Sequence, residues 1–399
     1  MPSVILFDDP VLRQQHLPFT YTRPVAAVRC GIHTISEKWS NWFEASVSYQ
    51  TEPYLQPRFP LTTTHDNLYI NGALCPDALL MEAINALELE TALYTTDNTL
   101  LAVRTASEAW TPENNPIKSR IGYTGSPLLI THIWDIFMNN GAQISADFAH
   151  FTKNRRSQPL TDPYTRCYNA DQIFIEPGAD IKAAILNAEN GPIYIGKNAS
   201  IQEGAAIQGP FALGESSVIA QNAKIRMNTT VGPYCKVGGE VSGSVIFGYS
   251  NKGHDGYLGN SVLGEWCNLG ANTNNSNLKN DHSPVKLHSY VTNALENTGL
   301  TFCGLFMGDF SKAGISTMFN TGTVVGVNVN VFGGGFQPKH IPSFSWGGKV
   351  DGLMEYRFQK AVEVVRDTVI RRGMIYDDRY ETILKEVLLR TQYQRTSLS

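Results

Sequence analysis

Aliphatic residues recur every six positions through the middle of the chain, at Ile195, Ile201, Ile207, Leu213, Ile219, Ile225, Val231 and Val237. A second run follows at Met307, Ala313, Phe319, Val325 and Val331, and between the two Leu263 and Leu269 keep the same step. An amphipathic helix needs apolar residues at i, i+3, i+4 and i+7, and a two-faced strand needs a period of two, so neither accounts for this spacing. A six-residue unit fits one short strand and one turn, and stacked units bury one aliphatic per side in a continuous core. Gly196, Gly214 and Gly232 each follow a repeat aliphatic and stand one coil apart, so one coil is three hexapeptides. The region is predicted to be a parallel β-helix of triangular section.

The flanks have a different texture. Before the repeat, Val4 to Phe7 form an apolar run, a helix is expected over 77–89 with Leu79, Leu80, Ala83, Ile84 and Leu87 on one face, and a strand pair turns at Asp97–Asn98. This is an α/β domain over 1–165, closed by the charged, proline-bearing linker 153–164. The β-helix is placed at 166–345. Over 346–399, Met354, Phe358, Ala361, Val365 and Val369, then Tyr380, Ile383, Leu384, Val387 and Leu388, read as two helices capping the open end of the solenoid. With 32 Lys+Arg against 36 Asp+Glu, the chain lacks the basic footprint of nucleic-acid or anionic-membrane partners. Its six cysteines form no CxxC pair, and no stretch reaches the ~18 apolar residues of a membrane span. A cytoplasmic location is expected.

Repeats carry function where they break, and this one loses register after Val237 and regains it at Leu263. The interruption over 238–264 contains His254 between glycines, with Tyr257 after it, and a second, polar interruption runs from Asn274 to Phe306. Two loops leaving nearby coils are expected to enclose a small polar substrate.

The run HDGYLGNSVLGEWCNLGANTNNSN, from His254 to Asn277, resembles the active-site coil of left-handed β-helix sugar acetyltransferases. It is most similar to the bifunctional N-acetylglucosamine-1-phosphate uridylyltransferase/glucosamine-1-phosphate N-acetyltransferase family. The resemblance covers roughly residues 170 to 345 and implies left-handed coils, a homotrimer and acetyl-CoA bound in grooves between subunits. It also implies site roles for His254, Tyr257, Asn268 and Asn277. The chemistry agrees with these residue types. A neutral imidazole titrates close enough to neutral pH to accept the amine proton, making His254 the general base. Asn268 and backbone N–H groups can hold the acetyl carbonyl as its oxygen gains charge, and Tyr257 orients the substrate. A sugar phosphate needs cations, and those in or beside the interruptions are Arg226, Lys252, Lys279 and Lys286. The family carries a lysine about a dozen residues before its histidine where this chain has Ser242.

At the N-terminus the first strand runs into FDDPVLRQQ, and no glycine appears before Gly31, so the Gly-rich triphosphate loop of nucleotidyltransferases is missing. The segment LPFTYTRPVAAVRCGIHTISEKW nevertheless resembles sugar nucleotidyltransferases just after that loop, and more closely an alternate bacterial branch of the bifunctional family. Thr20, Thr22, Arg23 and Arg29 match by position, and Arg13 could approach from the first loop. Nucleotidyl transfer there would require Mg2+, for which no ligands are assigned. Three functions stay open. One is an enzyme that acetylates glucosamine 1-phosphate and then makes a UDP-sugar. Another is an acetyltransferase with a degenerate nucleotide-sugar binding or regulatory module, and the last is a non-catalytic solenoid.

Overall fold

A computed structural model describes residues 2–114 and 117–395. Its internal contacts divide the chain into two units, residues up to 28 with 33–132, and residues 29–32 with those from 133 onward. The stretch 133–165, expected to end the first domain, therefore groups with the solenoid, whose first strand starts at Arg166.

The first unit is a six-stranded mixed sheet. Its strands are β1 (Ser3–Phe7), β2 (Ser48–Gln50), β3 (Asn67–Asn71), β4 (Thr91–Tyr94), β5 (Leu100–Thr105) and β6 (Ser119–Gly122), in the order β2-β1-β3-β5-β4-β6. Only β5 runs against the others, joined to β4 by the expected turn at Asp97–Asn98. Ile5, Phe7, Tyr69, Ala92 and Val103 pack around the fully buried Trp110. The expected helix is shorter, Ala78–Asn85, capped by Asp77 and burying Leu80, Met81 and Ile84. Leu79 is exposed, because a two-turn helix leaning on a sheet buries a narrower stripe than the sequence offered.

The second unit is a parallel β-solenoid of three faces. Its second face stacks nine strands, from Ile173–Ile175 to His340–Ile341, and its third stacks nine from Asp180–Ile181 to Ser345–Gly348. The first face pairs six strands from Arg166–Cys167–Tyr168 to Tyr257–Gly259 and resumes at Asn274–Asn275 and Met318–Phe319. The six-step aliphatics point inward and are buried in one core. Corners lie in left-handed backbone, with φ 47° at Asn260 and 62° at Trp266. Asparagine tolerates that region, as at Asn198, Asn222, Asn228 and Asn272. At one corner aromatic residues take its place: Tyr234, Tyr249, Trp266 and Phe310 stack at centroid distances of 5.3, 4.3 and 6.1 Å, a favourable contact set against the strained backbone.

The two interruptions differ in kind. After Val231 the coils shorten but never leave the stack: Val231 pairs with Ile246 and Ile246 with Leu263. The expected first loop is thus a pair of tight coils. The second is a true insertion, since Leu263 pairs next with Met307, and it carries the antiparallel hairpin Lys286–Ser289/Ala294–Asn297.

Strand Gly352–Glu355 folds back on Ser345–Gly348 to close the solenoid, so Met354 lies in a strand and is exposed. Helices Phe358–Ile370 and Arg379–Arg390 then run back along the coils rather than only capping the end. Phe358 packs 5.9 Å from Phe344, while Arg372 donates to the Tyr234 carbonyl and to Asn251 Oδ1, both at 2.6 Å. No helix among the described residues is long and apolar enough to cross a membrane.

Candidate functional site

His254 sits in the turn between strands Asn251–Lys252 and Tyr257–Gly259, where the third face gives way to the first. It is exposed, and its imidazole makes no hydrogen bond among the described residues. Tyr257 opens the next strand, half-buried on the outward side of the first face. Asn277 Nδ2 donates to the Tyr257 hydroxyl at 3.0 Å and to Asn260 Oδ1 at 2.8 Å, and the Tyr257 amide donates to Asn274 Oδ1 at 2.8 Å. Burial pushes the phenol above its ordinary value, with the Asn277 bond opposing, so Tyr257 works as a protonated hydroxyl. Two neighbouring rungs of this face carry Glu240, directly opposite Tyr257, and Arg226, paired with Glu240 at 2.9 Å.

The structure brings His254, Tyr257, Asn277 and Arg226 onto one corner and face. Asn268 stands apart on the third face, opposite Asn251 with their side chains 3.5 Å apart. Lys279 donates to Ser283 Oγ and the Pro284 carbonyl inside the insertion, and Lys286 is exposed on the hairpin. Lys252 does not face the surface at all. It is 2 % exposed, and its ammonium donates to the carbonyls of Gly238 and His254. Burial pushes it down to about 8, with Asp255 opposing. Asn260 and Asn274 were not singled out from the sequence; the asparagine-rich run after Ala271 was the available signal for Asn274, and Asn260 had none.

Two expected results follow from this geometry. The Tyr257 ring lies across Gly259, where an added Cβ would fall 2.3 Å from the hydroxyl. Gly259→Ala should displace the phenol and lower turnover by roughly 10-fold or more, with little change in melting temperature, as steady-state rates and thermal melts will show. Between about pH 8 and its ordinary 10.5, folded Lys252 has lost the proton that the unfolded chain still binds. The unfolded state then holds more protons, so this group makes stability rise with pH, by up to about 3 kcal/mol. Urea titrations at pH 7.5 and 10 should show a smaller rise in Lys252→Met than in wild type.

In the first unit, a cleft of about 760 Å³ opens at the carboxyl ends of β1 and β4, lined by Asp9, Tyr94, Asp97, Arg120, Pro127 and Thr131 among others. Ligands of open α/β sheets bind at such strand ends. The residues expected to bind nucleotide do not line it. Arg13 is buried, paired with Asp8 at 2.8 Å and donating to the carbonyls of Thr20 and Arg23 and to Tyr54. Thr20 and Thr22 turn their hydroxyls to the carbonyls of Arg13 and Phe19, and Arg23 is 4 % exposed. Arg29 belongs to the second unit, where it donates to the Phe247 and Ile32 carbonyls. Asp9 caps the helix Pro10–Gln15 by accepting from the Val11 and Leu12 amides. Among the described residues no group of three or more His, Cys, Asp or Glu could hold a metal ion.

The fold thus defines a mixed α/β unit joined to a β-solenoid with a polar site on its shortened coils. The family model described as sugar nucleotidyl transferase matches residues 4–156. The bifunctional protein GlmU of Methanocaldococcus jannaschii is 38% identical over 89 residues, 22% of this chain and 21% of that protein. GlmU of Synechococcus elongatus is 26% identical over 181 residues, 43% of this chain and 35% of that protein. An uncharacterized acetyltransferase, YaiX of Escherichia coli, is 27% identical over 176 residues, 44% of this chain and 71% of that protein. The chain spans about a fifth to a third of the length of the first GlmU proteins it matches. A segment similar to sugar nucleotidyl transferases followed by a β-solenoid fits a GlmU-like protein.

Proposed function

We propose that the solenoid transfers an acetyl group from acetyl-CoA to the amine of an amino-sugar 1-phosphate, with glucosamine 1-phosphate the favoured acceptor. The observation that carries this reading is the free, exposed imidazole of His254 beside the Tyr257–Asn277–Asn260 network. His254 takes the amine proton as nitrogen attacks the thioester carbonyl, the C–S bond breaks, and CoA leaves as the thiolate that is then protonated. Tyr257 and Asn277 hold sugar hydroxyls, while Arg226 is a cation on this face for the phosphate. Lys279 and Lys286 are placed to reach it from the insertion, and Asn268, on another face, serves the acetyl-CoA side. The similarity to GlmU and to an acetyltransferase supports this reading. As the resemblance to β-helix sugar acetyltransferases implies, the active unit is a homotrimer with acetyl-CoA in the grooves between copies. Light scattering should give three times the mass of the chain.

For the first unit the match to sugar nucleotidyl transferases supports uridylyl transfer to the acetylated sugar phosphate, at the strand-end cleft. Mg2+ bound through one or two carboxylates plus substrate phosphates is compatible with Asp9 and Asp97, and would neutralise the phosphate charge there. One observation favours a second reading, binding without transfer: the helix N-terminus that would cradle phosphate already holds the Asp9 carboxylate. Release of free CoA from acetyl-CoA with a panel of amino-sugar phosphates tests the first activity. Pyrophosphate release from UTP, with calorimetry against UTP and UDP-N-acetylglucosamine with and without magnesium, separates the two readings of the cleft. No thiol release with any amino sugar would overturn acetyl transfer.

A further inference from the structure

The inward column of the third face runs Ile201, Ile219, Val237, Lys252, Leu269, Ala313, Val331, as the strand register sets it. A lysine therefore occupies an aliphatic slot inside the solenoid. It makes no ion pair among the described residues, and a buried ammonium without a counter-charge is expensive to desolvate. Valine or leucine would fill that slot without this penalty, so the packing gives no reason for a lysine. What the ammonium does is specific: it ties the Gly238 carbonyl in one coil to the His254 carbonyl in the next. The same corner is crowded with backbone, since a Cβ on Gly239 would lie 2.9 Å from both the Lys252 Nζ and the His254 carbonyl oxygen. A second polar side chain breaks the inward column of the first face in the following coil. Asn275, 5 % exposed, accepts from the Gly259 amide at 2.8 Å and donates to the Gly259 carbonyl at 3.0 Å, fixing the strand that carries Tyr257.

We propose that Lys252 is a positioning residue that fixes the turn bearing His254 from inside the coil, as Asn275 does for the strand bearing Tyr257, and that acetyl transfer depends on both although neither touches substrate. The inference rests on the acetyl-transfer reading and adds to it an internal support that a surface view of the site omits. The test uses the full chain as wild type, His254→Ala, Lys252→Met and Asn275→Leu, the last two chosen to suit the apolar column. Lys252→Gln, which keeps an uncharged donor, is the second variant at that position should Lys252→Met not fold.

The measurements are kcat and KM with acetyl-CoA and the amino sugar, thermal melts, and hydrogen exchange of the amides of 257–259 and of Asn272 and Glu240, which donate to the Asp255 and Gly256 carbonyls of the His254 turn. Lys252→Met is expected to keep its melting temperature within a few degrees, because apolar replacement of a buried charge is often neutral or stabilising. Its kcat should fall roughly 10- to 100-fold, with KM for acetyl-CoA changed less than about 3-fold. The Asn272 and Glu240 amides should exchange about 10-fold faster or more. Asn275→Leu should show the same split, with exchange quickened at 257–259. Full kcat in Lys252→Met alongside an inactive His254→Ala would overturn the proposal. If His254→Ala keeps the wild-type rate, the acetyl-transfer reading fails instead, and exchange decides the positioning role alone: unchanged protection of the Asn272 and Glu240 amides refutes it, and faster exchange upholds it.

Discussion

Replacing His254 by alanine is expected to lower kcat for acetyl transfer by at least ~10²-fold while leaving the protein as stable as before. The imidazole is exposed and makes no hydrogen bond among the described residues, so its removal takes nothing from the core and should change stability by no more than about 0.5 kcal/mol. The turn itself is held through its backbone by Lys252, which the substitution leaves intact. What is lost is the group that accepts the proton, and an amine that stays protonated cannot attack a thioester. His132→Ala is the control, because His132 lies in the first unit and its Nδ1 is already engaged by the Thr131 hydroxyl at 2.9 Å. Steady-state rates should separate the two variants by about two orders of magnitude. Equal, small losses would make His254 an ordinary surface histidine and remove the proposed base.

The inward columns were legible because burial in a solenoid depends only on spacing, and aliphatics at six-residue steps cannot all be buried another way. The reading stopped at Val237 for two physical reasons. The coil after it is shorter, with Val231 opposite Ile246, and the next inward residue on the third face is a lysine, which no search for aliphatics would accept. That lysine was consequently read as a surface cation. Asn268 was grouped with Tyr257 by resemblance, yet eleven residues is about two-thirds of a coil and carries a side chain to a different face. Toward the N-terminus, arginines following the first strand looked like phosphate ligands. Between His16 and Thr34 the backbone forms only two three-residue 3-10 turns, so many of its carbonyls have no ladder partner. Arg13 and Arg29 supply donors to the carbonyls of Thr20, Arg23 and Ile32. The cleft itself is built by Asp9 and the turn after β4, residues distant in sequence that only the sheet order brings together.

Gly232→Ala is expected to destabilise the solenoid by about 3 kcal/mol or more, a loss reserved for substitutions that force backbone apart. The glycines one coil apart at 196, 214 and 232 have no positive φ to explain them; what they share is the closeness of the next coil. A Cβ at Gly232 would lie 1.9 Å from the Phe247 carbonyl oxygen and 2.5 Å from its carbon, and those atoms are main chain, which cannot rotate away as a flexible side chain could. Relief would need the coils to part where Gly232 donates to the Ile246 carbonyl at 2.8 Å and where Arg29 donates to the Phe247 carbonyl at 3.0 Å. Both bonds would lengthen together, in a coil that leads into Asn251, Lys252 and His254. The variant should therefore melt several degrees lower, and whatever folds should show faster amide exchange from 246 to 256 and reduced acetyl transfer. Gly248→Ala is the matched control, because an added Cβ there would come no nearer than 3.4 Å to the Pro233 carbonyl oxygen. An unchanged melting temperature for Gly232→Ala would mean that the coils yield more easily than close-packed backbone should, and that the glycine period reflects something other than coil-to-coil contact.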